Sequence, residues 1–183
     1  MKIAIDPGHG MSNRQQNVYD PGATHIENGY RHEEATIALK YGLTLKDLFR
    51  AKGHEVFMTR DDPDDHAPVG KRAKNAKDAG CEVFISIHLN DFDDDAANGQ
   101  EVLYRDATDK QFAQAIQTAL LAITKFKDRG IKKREDLAVL NFKGLSALIE
   151  LGFIANDNDR NTLLNPQTRN AICEAIVAVT IAP

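Results

Sequence analysis

The sequence predicts an α/β domain of three layers: a mostly parallel, twisted central sheet of about six strands flanked by helices. Short apolar, strand-like runs alternate with segments of helical periodicity over most of the 183 residues. Glycines such as Gly53 and Gly80 follow the helical segments, where helices commonly stop. No repeat, linker or low-complexity stretch interrupts the alternation, so one domain over 1–183 is expected.

The elements follow in order. Lys2–Ile5 reads as a short buried strand, and Asp6-Pro7-Gly8-His9-Gly10 as a sharp loop after it. Residues 11–32 are polar and carry Pro21, Gly22 and Gly29, the signature of a long surface loop. Glu34–Lys52 is helical: Ile37, Leu45 and Leu48 recur with Ala38, Tyr41 and Phe49 at spacings of three and four. Glu33 and Glu34 are both expected in its first turn. Glu55–Thr59 is a strand, Asp61–Asp65 an acidic turn, and Lys71–Ala79 a helix. Cys81–Asn90 has the apolar centre of a strand and ends on His88-Leu89-Asn90. Asp91–Asn98 is an acidic loop without the spacing of an EF-hand calcium loop. Gln100–Tyr104 is a strand, and Asp109–Thr124 a helix with Phe112, Ile116, Leu120 and Ile123 on one face. Lys125–Asp136 is charged and expected as loop, and Leu137–Leu140 as a short strand. Ala147–Ile154 is a buried strand that delivers one acid, Glu150, near its end. Asn156–Asp159 reads as a helix cap, and Pro166–Val179 as a closing helix.

Composition narrows the partners. With 42% hydrophobic and 27% charged residues the chain can build an ordinary globular core. A formal net charge of -4 argues against nucleic acid, whose phosphates call for a basic excess. No apolar run is long enough to span a bilayer, and Met1-Lys2 leads straight into a strand with no signal-peptide pattern. The expectation is a monomer made in the cytoplasm. Cys81 and Cys173 have no CxxC context and read as small buried apolar residues.

The chemistry lies at the strand ends. Two strands each deliver a histidine, His9 and His88, to their C-terminal edge, where open α/β sheets place ligand sites. Glu150 sits in an apolar run, and burying a carboxylate is costly unless it is paired, hydrogen-bonded or near a metal. Two histidines and a carboxylate fit a catalytic zinc site, which uses three protein ligands and leaves a position for water. Glu33 and Glu34 can instead complement the helix dipole, and Glu150 can instead pair with Arg129 or Arg134. His25, His32, His54 and His66 have no comparable context, although His32 adjoins the acid pair.

Three segments, in order, resemble one family. They are Ile5-Asp6-Pro7-Gly8-His9-Gly10, Ile85-Ser86-Ile87-His88-Leu89-Asn90, and Leu148-Ile149-Glu150-Leu151-Gly152-Phe153-Ile154-Ala155-Asn156 with Asp159-Arg160 beyond it. Over nearly its whole length the chain resembles the zinc-dependent N-acetylmuramoyl-L-alanine amidases of the Amidase_3 type. The resemblance implies zinc held by His9, Glu34 and His88, with Glu150 as the proton shuttle. It implies a peptidoglycan substrate, cut at the amide between N-acetylmuramic acid and L-alanine, and action on the cell wall after release. Asp6 and Asn90 become candidates for fixing the site loops. The chain departs from the family pattern at Ala38, where asparagine is usual, at Ser146, where proline is usual, and over Met11–Asn28. Rival readings are a zinc peptidase of the stem peptide and a wall-binding module without turnover. With no leader and no wall-binding repeat, a phage endolysin or its catalytic domain is the expected setting.

Overall fold

A computed structural model describes residues 1–92 and 96–182. The first element, β1 (Lys2–Pro7), leads through a loop into a hairpin, β2 (Thr24–Glu27) and β3 (Tyr30–Glu33), and then helix α1 (Glu34–Ala51). Next come β4 (Glu55–Met58), α2 (Val69–Asp78), β5 (Val83–Asn90), β6 (Gln100–Tyr104), α3 (Ala107–Thr124) and β7 (Asp128–Lys133). A 3₁₀ turn (Ala138–Asn141), β8 (Leu145–Phe153), α4 (Asp157–Leu164) and α5 (Pro166–Thr180) complete the chain. Asp93, Asp94 and Asp95, the middle of the acidic Asp91–Asn98 stretch, lie outside the described residues. Among the described residues no helix is long and apolar enough to cross a membrane.

The six-stranded sheet has the order β4-β1-β5-β8-β6-β7. Strands β4, β1, β5 and β8 are parallel, β6 runs antiparallel to β8, and β7 follows β6 in parallel. The expected mostly parallel sheet of six strands is therefore present, flanked by helices, with two strands reversed at one side.

Alternation along the strands sorts side chains between the faces. Ile85, Ile87 and Leu89 of β5 and Ile149 and Leu151 of β8 pack against α1, α3 and α5. Each such side chain contributes about 1.5–3 kcal/mol by burial, so this face dominates the hydrophobic stabilisation. The other face is divided. Ala4, Phe84, Leu103 and Leu148 are covered by Ala73 and Ala76 of α2 and by Val139, Leu140 and Phe142 around the 3₁₀ turn. Continuing toward the C-terminal ends of β1, β5 and β8, the same face changes character and bears Asp6, Ser86, His88 and Glu150. It is on this polar half that the site is built.

Three expectations need correction. Residues 11–32 are not all loop, because Asn28 (φ 50°) and Gly29 (φ 79°) form the tight left-handed turn of the β2–β3 hairpin. Asn-Gly is a strong hairpin signal. Its pairing also places Glu33 at the end of β3, outside the helix. Lys125–Asp136 contains β7, an edge strand whose Ile131 is its one large apolar residue. Leu137–Leu140 is a 3₁₀ turn rather than a strand, so β7 supplies the sixth strand. In addition, β8 continues past Glu150 to Phe153. One extra residue enters β8 where His88 and Asn90 face Glu150 and Phe153, a bulge of the kind that re-aims side chains at sites.

Ser146 uses a backbone N–H that a proline would lack. Its N–H and hydroxyl donate to the two carboxylate oxygens of Asp109, which also closes the capping box of α3. Cys81 and Cys173 are buried free thiols, as expected.

Candidate metal centre

His9 sits in the loop that leaves β1. Its backbone is left-handed (φ 61°), a conformation that costs a residue with a Cβ roughly 1–2 kcal/mol. Two buried arginines hold it there. Arg60 donates to the carbonyls of Pro7 and Gly8, and Arg72 donates to those of Pro7 and His9. Arg72 also pairs with the buried Asp6 carboxylate at 2.9 Å, which Thr59 and Ser86 hydroxyls complete at 2.6 Å each. Burial would raise the Asp6 pKa, but Arg72 and the two hydroxyls outweigh it and hold Asp6 below the usual carboxylate range. Asp6 thus belongs to the hydrogen-bonded network around the loop.

The strain at His9 yields a measurable difference. In chelator, His9→Gly is expected to be about 1 kcal/mol more stable than His9→Ala, since glycine occupies the left-handed region freely. Urea unfolding of the two variants checks this, and equal midpoints would contradict the assigned backbone strain.

Asp20 sets the ring. Its Oδ2 lies 2.8 Å from His9 Nδ1 and accepts the Ser12 hydroxyl at 2.9 Å. A proton on Nδ1 donated to Asp20 leaves the Nε2 lone pair facing inward. Reciprocal backbone bonds between Gly10 and Asp20, both 2.9 Å, join the two segments.

Glu34, the first residue of α1, is 3% exposed. The N–H of Leu89 donates to its Oε1, and the N–H of Ala23 to its Oε2, both at 2.9 Å. Each oxygen also faces a histidine: Oε1 is 2.9 Å from His88 Nδ1, and Oε2 is 3.1 Å from His9 Nε2. Two glycines make the approach possible. A Cβ on Gly8 would lie 2.4 Å from His88 Cε1, and one on Gly22 would lie 2.6 Å from Glu34 Oε2. Glu33 points elsewhere, accepting the Tyr19 hydroxyl at 2.8 Å.

One ligand atom from each of His9, Glu34 and His88 lies within 4.8 Å of the others. A tetrahedral zinc with bonds of about 2.0–2.2 Å spaces its donors roughly 3.3–3.5 Å apart, within the 4.8 Å span of the three ligand atoms. Electrostatics agree. Burial lowers the His9 pKa, but Glu34 and Asp20 outweigh it and raise it to about 9. Burial raises that of Glu34, but His88 and His9 outweigh it and hold it well below the usual range. Both shifts report the same demand for positive charge, which imidazole and carboxylate donors satisfy with a divalent cation. The residues present fit zinc.

Glu150 projects from β8 beside His88, its partner in the parallel register. Its Oε2 is buried with no hydrogen-bond partner among the described residues, a state that costs about 1–3 kcal/mol or more for a charged group. Burial, then the carboxylates of Glu34 and Glu101, push its pKa up to about 7, against the opposing pull of His88 and His9. Among the described residues the alternative pairing with arginine is not made: Arg129 bonds Glu101, and Arg134 bonds Asp136. Arg60, Arg72, Asp20 and Glu101 are contributors that the sequence alone did not single out. Asn90, the other expected loop-fixing residue, donates from Nδ2 to Glu101 at 3.2 Å. The remaining histidines stand apart, with His25 facing His32 across the hairpin and His66 bonding the Asn13 carbonyl.

Comparison with known proteins places this geometry. The family described as N-acetylmuramoyl-L-alanine amidase (Amidase_3) matches residues 3–181. N-acetylmuramoyl-L-alanine amidase LytC of Bacillus subtilis (strain 168) is 30% identical over 184 residues, covering 98% of this chain and 35% of LytC. The chain therefore spans about a third of that relative's length. The catalytic domain of CwlV from Bacillus (Paenibacillus) polymyxa var. colistinus superposes with a TM-score of 0.86 at 28% identity, covering 98% of this chain and 95% of that one. An N-acetylmuramoyl-L-alanine amidase from Clostridium difficile 630 gives 0.85 at 29% identity, over 98% and 94%.

Proposed function

The chain belongs to the Amidase_3 family of N-acetylmuramoyl-L-alanine amidases, and from that membership we propose that it hydrolyses the amide between N-acetylmuramic acid and L-alanine in peptidoglycan. His9, Glu34 and His88 would hold the zinc, and Glu150 would move the proton. The observation that carries this reading is the buried Glu150 Oε2, without a hydrogen-bond partner among the described residues, next to two histidines and a carboxylate that call for a cation.

Zinc, when bound, supplies Lewis acidity toward the scissile carbonyl and lowers the pKa of water. The protein's own groups do the rest. Asp20 fixes the His9 tautomer, and the N–H groups of Ala23 and Leu89 hold Glu34 in place. Glu150 accepts a proton from the attacking water and passes it to the L-alanine nitrogen as that nitrogen leaves. A pKa raised to about 7 suits a group that must both take and give a proton near neutrality.

Mass spectrometry of a peptidoglycan digest tests the reading. The expected product is a new N-terminal L-alanine with the glycan intact, abolished by chelator and restored by zinc. Free amines at other stem residues would identify a peptidase, and binding without turnover a wall-binding module. His88→Ala is expected to lose stoichiometric zinc by elemental analysis, and retained metal would remove it from the ligand set.

A further inference from the structure

Beside Glu150, on the reversed strands, the structure holds a charged group that the proton transfer does not use. Glu101 of β6 is the direct register partner of Glu150 and alternates onto the same face. Its Oε2 accepts from two cations of β7, Arg129 Nε at 3.1 Å and Lys132 Nζ at 2.5 Å. Its Oε1 accepts from Asn90. Two cations thus share one carboxylate, leaving one positive charge in excess among the described residues. Glu101 is 7% exposed, whereas the side chains of Arg129 and Lys132 are 29% and 46% exposed. The Arg129 guanidinium lies over the Phe153 ring, 4.8 Å from its centroid. That platform fixes its plane, and Nη1 donates to the Asn98 carbonyl at 3.5 Å, so among the described residues Nη2 is the guanidinium nitrogen left for a further acceptor.

We propose that Arg129 and Lys132, anchored by Glu101, form a subsite that reads a free carboxylate on the residue following the scissile alanine of an acidic stem peptide. This rests on the amidase reading. The glycan side of the cut bond carries no carboxylate, so an anion at this subsite belongs to the peptide. An acidic peptide approaching Glu150 meets a like charge, and a cationic rim offsets that repulsion. The span also fits. Strand β7 lies two strand spacings, about 9.6 Å, from β8, and its cations reach back to Glu101. The α-carboxyl of the next peptide residue lies roughly 6 Å from the scissile nitrogen.

The test uses two muramoyl tripeptides, MurNAc-L-Ala-γ-D-Glu-L-Lys, identical except that the glutamate α-carboxyl is free in one and amidated in the other. With the zinc-loaded protein, kcat/KM is expected to favour the free acid by about tenfold, the worth of one charge-assisted hydrogen bond. Lys132→Met and Arg129→Gln are each expected to bring the acid-to-amide ratio toward one through KM for the acid, with kcat little changed. Lys110→Met, on α3, serves as the control and should keep the wild-type ratio. Equal rates for the two substrates in the wild type, or variants that lower both substrates alike, would overturn the subsite while leaving the amidase reading intact. Cleavage of neither substrate at the muramoyl–alanine bond would instead sink the amidase reading itself, and the subsite with it.

Discussion

Glu150→Gln is expected to lower kcat by roughly 10²–10⁴-fold, the usual contribution of a positioned acid–base group, while zinc stoichiometry stays at the wild-type value. The amide keeps the shape but cannot shuttle the proton. Turnover within about tenfold of wild type would refute the role, and loss of zinc would make Glu150 a ligand instead. Stability should move the other way. An acid whose folded pKa is raised from 4.5 to about 7 favours folding while protonated and costs stability as pH rises through 7. At about 1.4 kcal/mol per unit, the gap is worth up to about 3 kcal/mol. Chelated Glu150→Gln should therefore melt above chelated wild type at pH 8, and the difference should vanish near pH 4. In the zinc-loaded enzyme the cation favours the carboxylate, so the acid limb of activity should fall below pH 7.

Arg72→Met carries the largest expected loss of stability, about 3–5 kcal/mol, because it leaves the Asp6 carboxylate charged and buried without its cation. For a chain of this size that is a drop in Tm of roughly 6–20 °C. The carbonyls of His9 and Ala67 lose their arginine donor in the same step, and that of Pro7 loses one of two. Zinc affinity should fall as well, since of the two arginines that hold the loop presenting His9 only Arg60 then remains. Combining Arg72→Met with Asp6→Asn should cost less than the sum of the singles, because the two side chains form one network. A melting temperature for Arg72→Met within about 2 °C of wild type would show that the ion pair does not brace the loop.

Much of this was legible in the sequence because it is local. His88 and Glu150 each interrupt an apolar run, and such interruptions mark where a strand face turns from core to site. His9 follows a strand in a Pro-Gly loop, and α1 shows its period clearly. What escaped was non-local or masked by charge. Arg72 meets Asp6 across 66 residues, and Arg60 meets the Pro7 carbonyl across 53, separations no window of periodicity reports. Strand β7 reads Asp-Arg-Gly-Ile-Lys-Lys, a composition typical of loops, because an edge strand has one side to solvent and one neighbour to satisfy. The hairpin was visible in Asn28-Gly29 but hidden by the polar residues around it. Counting back from Gly53, the apolar spacing favours Glu34 over Glu33. Their divergence follows from a strand ending at one residue and a helix beginning at the next.

The position of β7 at the end of the sheet has a further consequence for solubility. An unpaired strand edge is a template for another chain, and lysines along it are a common deterrent to fibril-like association. Strand β7 carries Arg129, Lys132 and Lys133, and its pairing with β6 is irregular between Gln100 and Val102. The residues that rim the cleft therefore also guard the edge. Removing their charges to retune what the cleft accepts would simultaneously open the molecule to aggregation, so selection on specificity and selection on colloidal stability act on the same few side chains.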